Sequence, residues 1–392
     1  MTTQRLYDAD GYLTSCTAQV TACAPAGEGW RIALDRTCFF PEGGGQYGDQ
    51  GTLVLEDGTA LPVRDTQEED GAVWHHTARP LEVGTPVRAE LNWPLRFARM
   101  QCHTGEHIVS GLFHRLYGLD NVGFHLGDEE VTVDLSGPVA WEDVQRVERL
   151  ANEAVSRNLP VSCTYPAPEE LARLDYRSKG EIAGPVRVVT IPGYDVCACC
   201  APHVRHTGEI GLIHFLSLQN WKGGVRLRML SGSRAVEDVI AKQASVSDIS
   251  NQLSAKQGEV AQAVARLCAE LEETKLRAAH LGRLTAQALA DGIAPGKEEA
   301  LFFLELDTKA QRALVNAALQ RGVGLCGVFV PAGERWNYIV GCAPGRDLRG
   351  AARELNAALN GRGGGSAGMI QGSVQAGRAQ IEAWWRKFGN ES

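Results

Sequence analysis

RFARMQCHTGEHIVSGLFHRLY, residues 96–117, decides how the chain is read. Phe97, Met100, Ile108, Leu112 and Leu116 recur at mixed three- and four-residue spacing, the period of an amphipathic helix. That period puts side chains four apart on one face, so His103 and His107 stand side by side. Upstream, TAQVTAC (17–23), WRIALD (30–35), GTLVLE (51–56), AVWHHT (72–77) and TPVRAELN (85–92) are short β-type stretches between Gly, Pro and Asp clusters. They predict a small barrel or sandwich, here taken as a β-barrel, over residues 1–92. Downstream, VTVDL (131–135) and VRVVTI (186–191) flank a second helix with Val144, Val147, Leu150 and Val155 on its apolar face. Residues 93–235 therefore read as α+β.

The pattern changes at about Ala235. Val246, Ile249, Leu253, Val260, Val264, Leu267 and Leu271 keep three- and four-residue spacing without a proline, which predicts a helical connector over 236–291. It is either one long helix or two broken near Gly258. After the hinge Gly292-Ile293-Ala294-Pro295-Gly296, strand, helix, strand, strand and helix signals predict an α/β unit over 292–392. Its run Gly361-Arg362-Gly363-Gly364-Gly365 has, by composition, the character of a loop. The expected class is α+β overall.

Composition narrows the function. With 392 residues and 44% apolar content the chain is long enough for two or three cores, and no apolar run approaches the ~20 residues of a membrane span. The N-terminus carries no basic start followed by an apolar core, so a cytoplasmic protein is expected. Eleven cysteines, three of them in Cys197-Ala198-Cys199-Cys200, point to thiol or metal chemistry in a reducing compartment. The net charge is −8, and residues 1–92 alone hold fourteen acids against six Lys and Arg. The rest is balanced, which excludes a generic polycation for nucleic acid but allows local basic contacts.

Two imidazoles at i and i+4 followed by a thiol and imidazole in Cys199-Cys200-Ala201-Pro202-His203 supply the ligand types that suit tetrahedral zinc. The thiolate is ambiguous by spacing alone, because Cys197 and Cys200 form a CxxC pair with a redox or alternative zinc reading. His103 to His107 also fits HxxEH, the inverted signature of zinc peptidases, with Glu106 as general base. That class needs a carboxylate ligand, whereas the conspicuous downstream candidates are sulfur and imidazole. Glu106 is therefore read as a solvated helix residue.

Four ordered segments resemble the editing domain of alanyl-tRNA synthetases and its free-standing relatives, the AlaX proteins. They are LDRTCFFPEGGGQYGD (34–49), the His103 to His107 pair, Cys199 to His203 continuing as VRHTGEIG (204–211), and KGGVRLR (222–228). The resemblance covers about the first 235 residues, and the helical and C-terminal parts resemble the synthetase tail, as in a long AlaX form. It implies a zinc-dependent deacylase acting in trans on alanine tRNA that carries serine, and glycine as a further candidate. His103, His107, Cys199 and His203 are then the zinc ligands. The usual Cys-Gly-Gly-Thr-His of the family is replaced at Cys200, Ala201 and Pro202. A chain starting almost at the barrel leaves no room upstream for the synthetase's catalytic domains, so aminoacylation is not expected.

Four protein ligands make a closed ion, which points to positioning of the substrate rather than to activation of water. Consecutive glycines Gly43, Gly44 and Gly45 let backbone amides approach a ligand. Gln46 is expected to orient water or the terminal adenosine, Asp49 to buttress the loop, and Thr37 to read the serine hydroxyl, all three taken as catalytic-site residues. Arg96, Lys222, Arg226 and Arg228 are candidate phosphate contacts. The long helix or the C-terminal unit is the expected route to a homodimer. A zinc peptidase using Glu106 and a non-enzymatic tRNA-binding protein with structural zinc are the competing classes.

Overall fold

The structure, a computed structural model, describes residues 2–127, 130–178 and 184–390. It divides into two compact units, 1–245 and 246–392.

In the first unit six antiparallel strands close a barrel: β1 (Ser15–Ala26), β2 (Gly29–Leu34), β3 (Gly51–Leu55), β4 (Ala60–Glu69), β5 (Ala72–Thr77) and β6 (Pro86–Leu91), in the order β1-β2-β5-β4-β3-β6. Alternation puts Ile32, Leu34, Leu53, Leu61, Val63, Val87 and Ala89 inside. The barrel expected from the sequence is thus present. The segment between β2 and β3 leaves the barrel wall and carries the triple glycine.

Helix α1 (Trp93–Tyr117) starts where Asn92 caps it, its side chain accepting from the Leu95 amide at 3.3 Å, and stops at left-handed Gly118. Strands β7 (Asn121–Leu126), β8 (Val131–Leu135), β12 (Ile213–Trp221) and β13 (Gly224–Ser231) form a sheet in the order β12-β13-β8-β7. Its Val131, Val133, Leu227 and Met229 face join Met100, Ile108, Leu112 and Phe113 of α1 and Val144 and Val147 of α2 (Trp141–Ser156) in one core. Each such buried side chain contributes roughly 1.5–3 kcal/mol. A small sheet of β9 (Ser162–Thr164), β10 (Val188–Ile191) and β11 (Asp195–Ala198) delivers the second half of the site.

Helix α3 (Ser233–Leu253) ends before Ser254, which adopts φ 49°, and α4 (Val260–Asp291) follows a single 3-10 turn over Gln257–Glu259. Two broken helices, rather than one, occupy this stretch. The second unit continues with β14 (Glu299–Phe303), α5 (Thr308–Gln320), β15 (Leu325–Ala332), β16 (Arg335–Cys342), α6 (Arg349–Ala358), β17 (Arg362–Gly365), β18 (Met369–Val374) and α7 (Arg378–Asn390). Its sheet runs β14-β15-β16-β18-β17, parallel only between β14 and β15. The glycine run read as a loop is in fact the edge strand β17, paired with β18 from Arg362↔Ser373 to Gly365↔Ile370. No helix of the described residues is long and apolar enough to cross a membrane.

Candidate metal centre

His103 and His107 project from one face of α1 with ring centroids 5.3 Å apart, and His203 closes the triangle at 4.9 Å and 4.7 Å. Cys199 completes the group, and one ligand atom from each of the four lies within 4.8 Å of all the others. Cys199 Sγ is 3.6 Å from His103 Nε2 and 3.4 Å from His203 Nε2. Two ligands of one tetrahedral zinc, at about 2.3 Å for sulfur and about 2.0–2.1 Å for nitrogen, stand about 3.6 Å from each other. The donor set and its spacing fit a zinc-like ion.

What fixes the rings strengthens that fit. His103 Nδ1 donates to Gln46 Oε1 at 3.1 Å, His107 Nδ1 to Asp195 Oδ2 at 2.9 Å, and His203 Nδ1 lies 3.0 Å from Thr104 Oγ1. All three imidazoles use Nδ1 outward and turn Nε2 inward, the arrangement that sets tautomer and direction in histidine metal sites. Asp195 is itself held by Arg177 through two bonds of 2.8 and 2.9 Å. Gly111, one turn beyond His107, makes this reach possible: a Cβ there would stand 2.2 Å from the Tyr194 carbonyl oxygen.

The electrostatics run the same way. Burial opposes ionisation of Cys199, but His103 beside it, through charge and a hydrogen bond, holds the thiol well below its usual pKa. Burial pushes His203 down to about 3 and keeps it neutral. Burial also works against charge on His107, yet the Asp195 carboxylate and Cys199 hold its pKa well above the ordinary value.

The competing thiols Cys197 and Cys200 line the same cavity but lie outside the group of four. Cys200 is exposed, and its Sγ lies 3.6 Å from where a Cβ on Gly44 would be. Cys197 is buried and groups with His107 and Asp195, but both of those are already engaged with each other.

A cavity of about 390 Å³ opens onto the cluster, lined among others by Gly44, His103, Glu106, His107, Arg177, Arg187 and Cys199. The glycine loop enters through Gly44 (φ 60°) and Gly45 (φ 83°), where a Cβ on Gly45 would collide with Phe124 at 2.5 Å. Glu106 corrects the solvated reading: it is only 3% exposed, and its carboxylate accepts from Ser110 and Asn121.

Several other expectations change. Thr37 is fully buried, donating to His75 Nε2 at 2.9 Å and accepting from the Phe39 amide at 3.1 Å; it does not line the cavity. His75 Nδ1 donates to the Ile32 carbonyl, so its Nε2 can only accept and the Thr37 hydroxyl proton is spent. Gln46 Oε1 accepts from His103, while its Nε2 is buried without a hydrogen-bond partner among the described residues. Asp49 and Arg96 form a buried ion pair; Asp49 also accepts from the Phe40 amide at 2.6 Å, and Arg96 donates to the carbonyls of Gly11 and Cys38 at 2.9 Å. A phosphate cannot reach Arg96. On the β12–β13 hairpin Arg226 pairs with Asp134 and lies over Trp221, Arg228 pairs with Glu130, and exposed Lys222 sits above Trp221. None of the three lines the cavity. Sequence reasoning missed Asp195, Arg177, Thr104 and Arg187; only Thr104, beside His103, carried a local signal.

Residues 186–228, which include Cys199 and His203, match the family described as the threonyl and alanyl tRNA synthetase second additional domain, and residues 12–95 match class II (A) tRNA synthetases. Alanyl-tRNA editing protein AlaX-L of Pyrococcus horikoshii is 33% identical over 239 residues, 59% of this chain and 59% of that protein. An alanine–tRNA ligase of Pyrobaculum neutrophilum is 32% identical over 95% of this chain but 43% of its own length. Alanyl-tRNA editing protein Aarsd1-B of Xenopus laevis is 28% identical over 96% of both chains. The chain thus spans less than two thirds of the first two relatives and nearly all of the third. By these matches it is a homologue of the alanyl-tRNA editing proteins.

Proposed function

We propose that the chain is a deacylase that acts in trans on alanine tRNA carrying the wrong amino acid, serine first and glycine second. The observation that carries this reading is three imidazoles and a thiolate converging on a cavity wall, in a homologue of the alanyl-tRNA editing proteins. In this reading residues 1–92 and 93–235 form the editing part, 236–291 the connector and 292–392 a C-terminal unit like the synthetase's.

His103, His107, Cys199 and His203 would hold zinc, which when bound supplies a Lewis acid beside the ester. Gln46, Asp195 and Thr104 fix the three imidazoles so that their Nε2 atoms do not have to reorganise. Among the described residues the Gly44 and Gly45 amides have no hydrogen-bond partner, and Gly44 lines the cavity, so the loop offers donors to a substrate oxygen. Hydrolysis adds water across the acyl–oxygen bond, releasing the amino acid and restoring the ribose hydroxyl. A hydrogen bond reserved for the serine hydroxyl would be left unpaired by alanine, which spares the correct ester. In this reading Thr37 does not supply it, because it is fully buried outside the cavity lining and its proton goes to His75.

The test is a deacylation time course with the purified, zinc-loaded chain on alanine tRNA charged with serine, glycine or alanine. Release of serine well above the spontaneous rate with the alanyl ester preserved is expected. Persistence of the seryl ester would refute the reading, and peptide cleavage abolished by Glu106→Gln would favour a peptidase.

A further inference from the structure

Arg187 is 9% exposed, a buried guanidinium on the cavity wall. Its Nη1 donates to the carbonyls of Cys199 (2.9 Å) and Ala201 (2.8 Å), while its own carbonyl accepts from the Cys199 amide at 3.0 Å. Three bonds therefore tie Arg187 to the loop that carries the thiolate. Yet among the described residues no carboxylate lies within ion-pair distance of it. Asp8 senses its charge only from farther away. Two arginines of this unit show the contrast: buried Arg96 pairs with Asp49, and half-buried Arg177, which also lines the cavity, pairs with Asp195. A buried cation without an anion is costly unless a ligand brings one.

Beside it stands Tyr165. The β9–β10 register runs Ser162↔Thr190, Cys163↔Val189, Thr164↔Val188. Continued by one residue, it sets Tyr165 opposite Arg187, the spacing at which cross-strand side chains touch. Tyr165 is 51% exposed and lines the same cavity. It is an aromatic face at the mouth, next to a cation fixed deeper on the wall.

We infer that Tyr165 and Arg187 form a clamp for the last nucleotide of a single-stranded RNA 3′ end, the base stacking on Tyr165 and a phosphate oxygen reaching Arg187. Stacking on an aromatic side chain tolerates any base, and a guanidinium holds phosphate through two parallel bonds. The clamp deepens the proposed function, since it would seat the ester-bearing ribose over the metal cluster. Tyr165 and Arg187 are positioning residues; neither is assigned a part in bond cleavage.

Binding of an uncharged RNA hairpin ending in CCA, followed by fluorescence anisotropy on the zinc-loaded full chain, reads the clamp whether or not any ester is cleaved. Tyr165→Leu should weaken binding about tenfold, within the range of one stacked base. Tyr165→Phe, which keeps the ring, should stay within about twofold. Arg187→Gln should also weaken binding about tenfold and flatten its salt dependence. Tyr165→Leu binding as tightly as wild type, or Tyr165→Phe losing as much as Tyr165→Leu, would overturn the clamp. A seryl ester that persists while these RNA effects hold would sink only the deacylase reading.

Discussion

Two buried polar groups, one at the junction of barrel and helix and one at the cavity, look alike in composition and differ in what they leave over. Asp49 and Arg96 are 1% exposed each, and their partners are all within the fold: each other, the Phe40 amide, and the carbonyls of Gly11 and Cys38. The histidines of the cluster are 2–5% exposed; each is held from behind through Nδ1 and turns Nε2 toward its neighbours and Cys199. A saturated network is a strut. A network oriented from behind and open in front is a binding site.

The contrast can be broken most sharply at the strut. Arg96→Ala leaves a buried carboxylate unpaired and should lower unfolding free energy by about 3–5 kcal/mol, read by urea denaturation. A loss below about 1 kcal/mol would place Arg96 among weak surface pairs. His75 sharpens the same point through pH. Burial pushes its pKa down to about 4, so the folded chain binds fewer protons there than the unfolded chain. Its contribution is complete above the ordinary histidine pKa and is lost as pH falls toward 4, by about 3 kcal/mol. Urea midpoints at pH 7 and pH 4.5 should show that loss, diminished in His75→Gln. The open network responds differently. Asp195→Asn keeps the shape but weakens the hold on His107, and zinc affinity by competition with a chelator should fall about 10- to 100-fold. Equal affinities would mean that Asp195 does not orient the ligand.

Much of this was readable from the sequence because it is local. Strand alternation over 17–92 is a period-two signal, and His103 and His107 share a face by helix geometry alone. What could not be read depends on approach between distant segments. Asp195 reaches His107 across 88 residues, and only because Gly111 lets the Tyr194 backbone pass. Arg96 has the composition of a surface cation and is buried by Asp49, 47 residues earlier. Glu106 fits a solvated helix face until Ser110 and Asn121 close over it. The run Gly361 to Gly365 signals a loop, but Gly363 and Gly365 serve strand packing: a Cβ on Gly363 would stand 2.5 Å from the Tyr338 hydroxyl. Composition carries the permissiveness of glycine and not the neighbour that requires it.

The most direct measurement is zinc K-edge X-ray absorption on the loaded chain. One sulfur at about 2.3 Å and three nitrogens at about 2.0–2.1 Å are predicted, from Cys199 with His103, His107 and His203. The spectrum should be unchanged in Cys197→Ser and Cys200→Ser. Two sulfurs in the first shell, or a spectrum altered by either substitution, would contradict the four-residue centre.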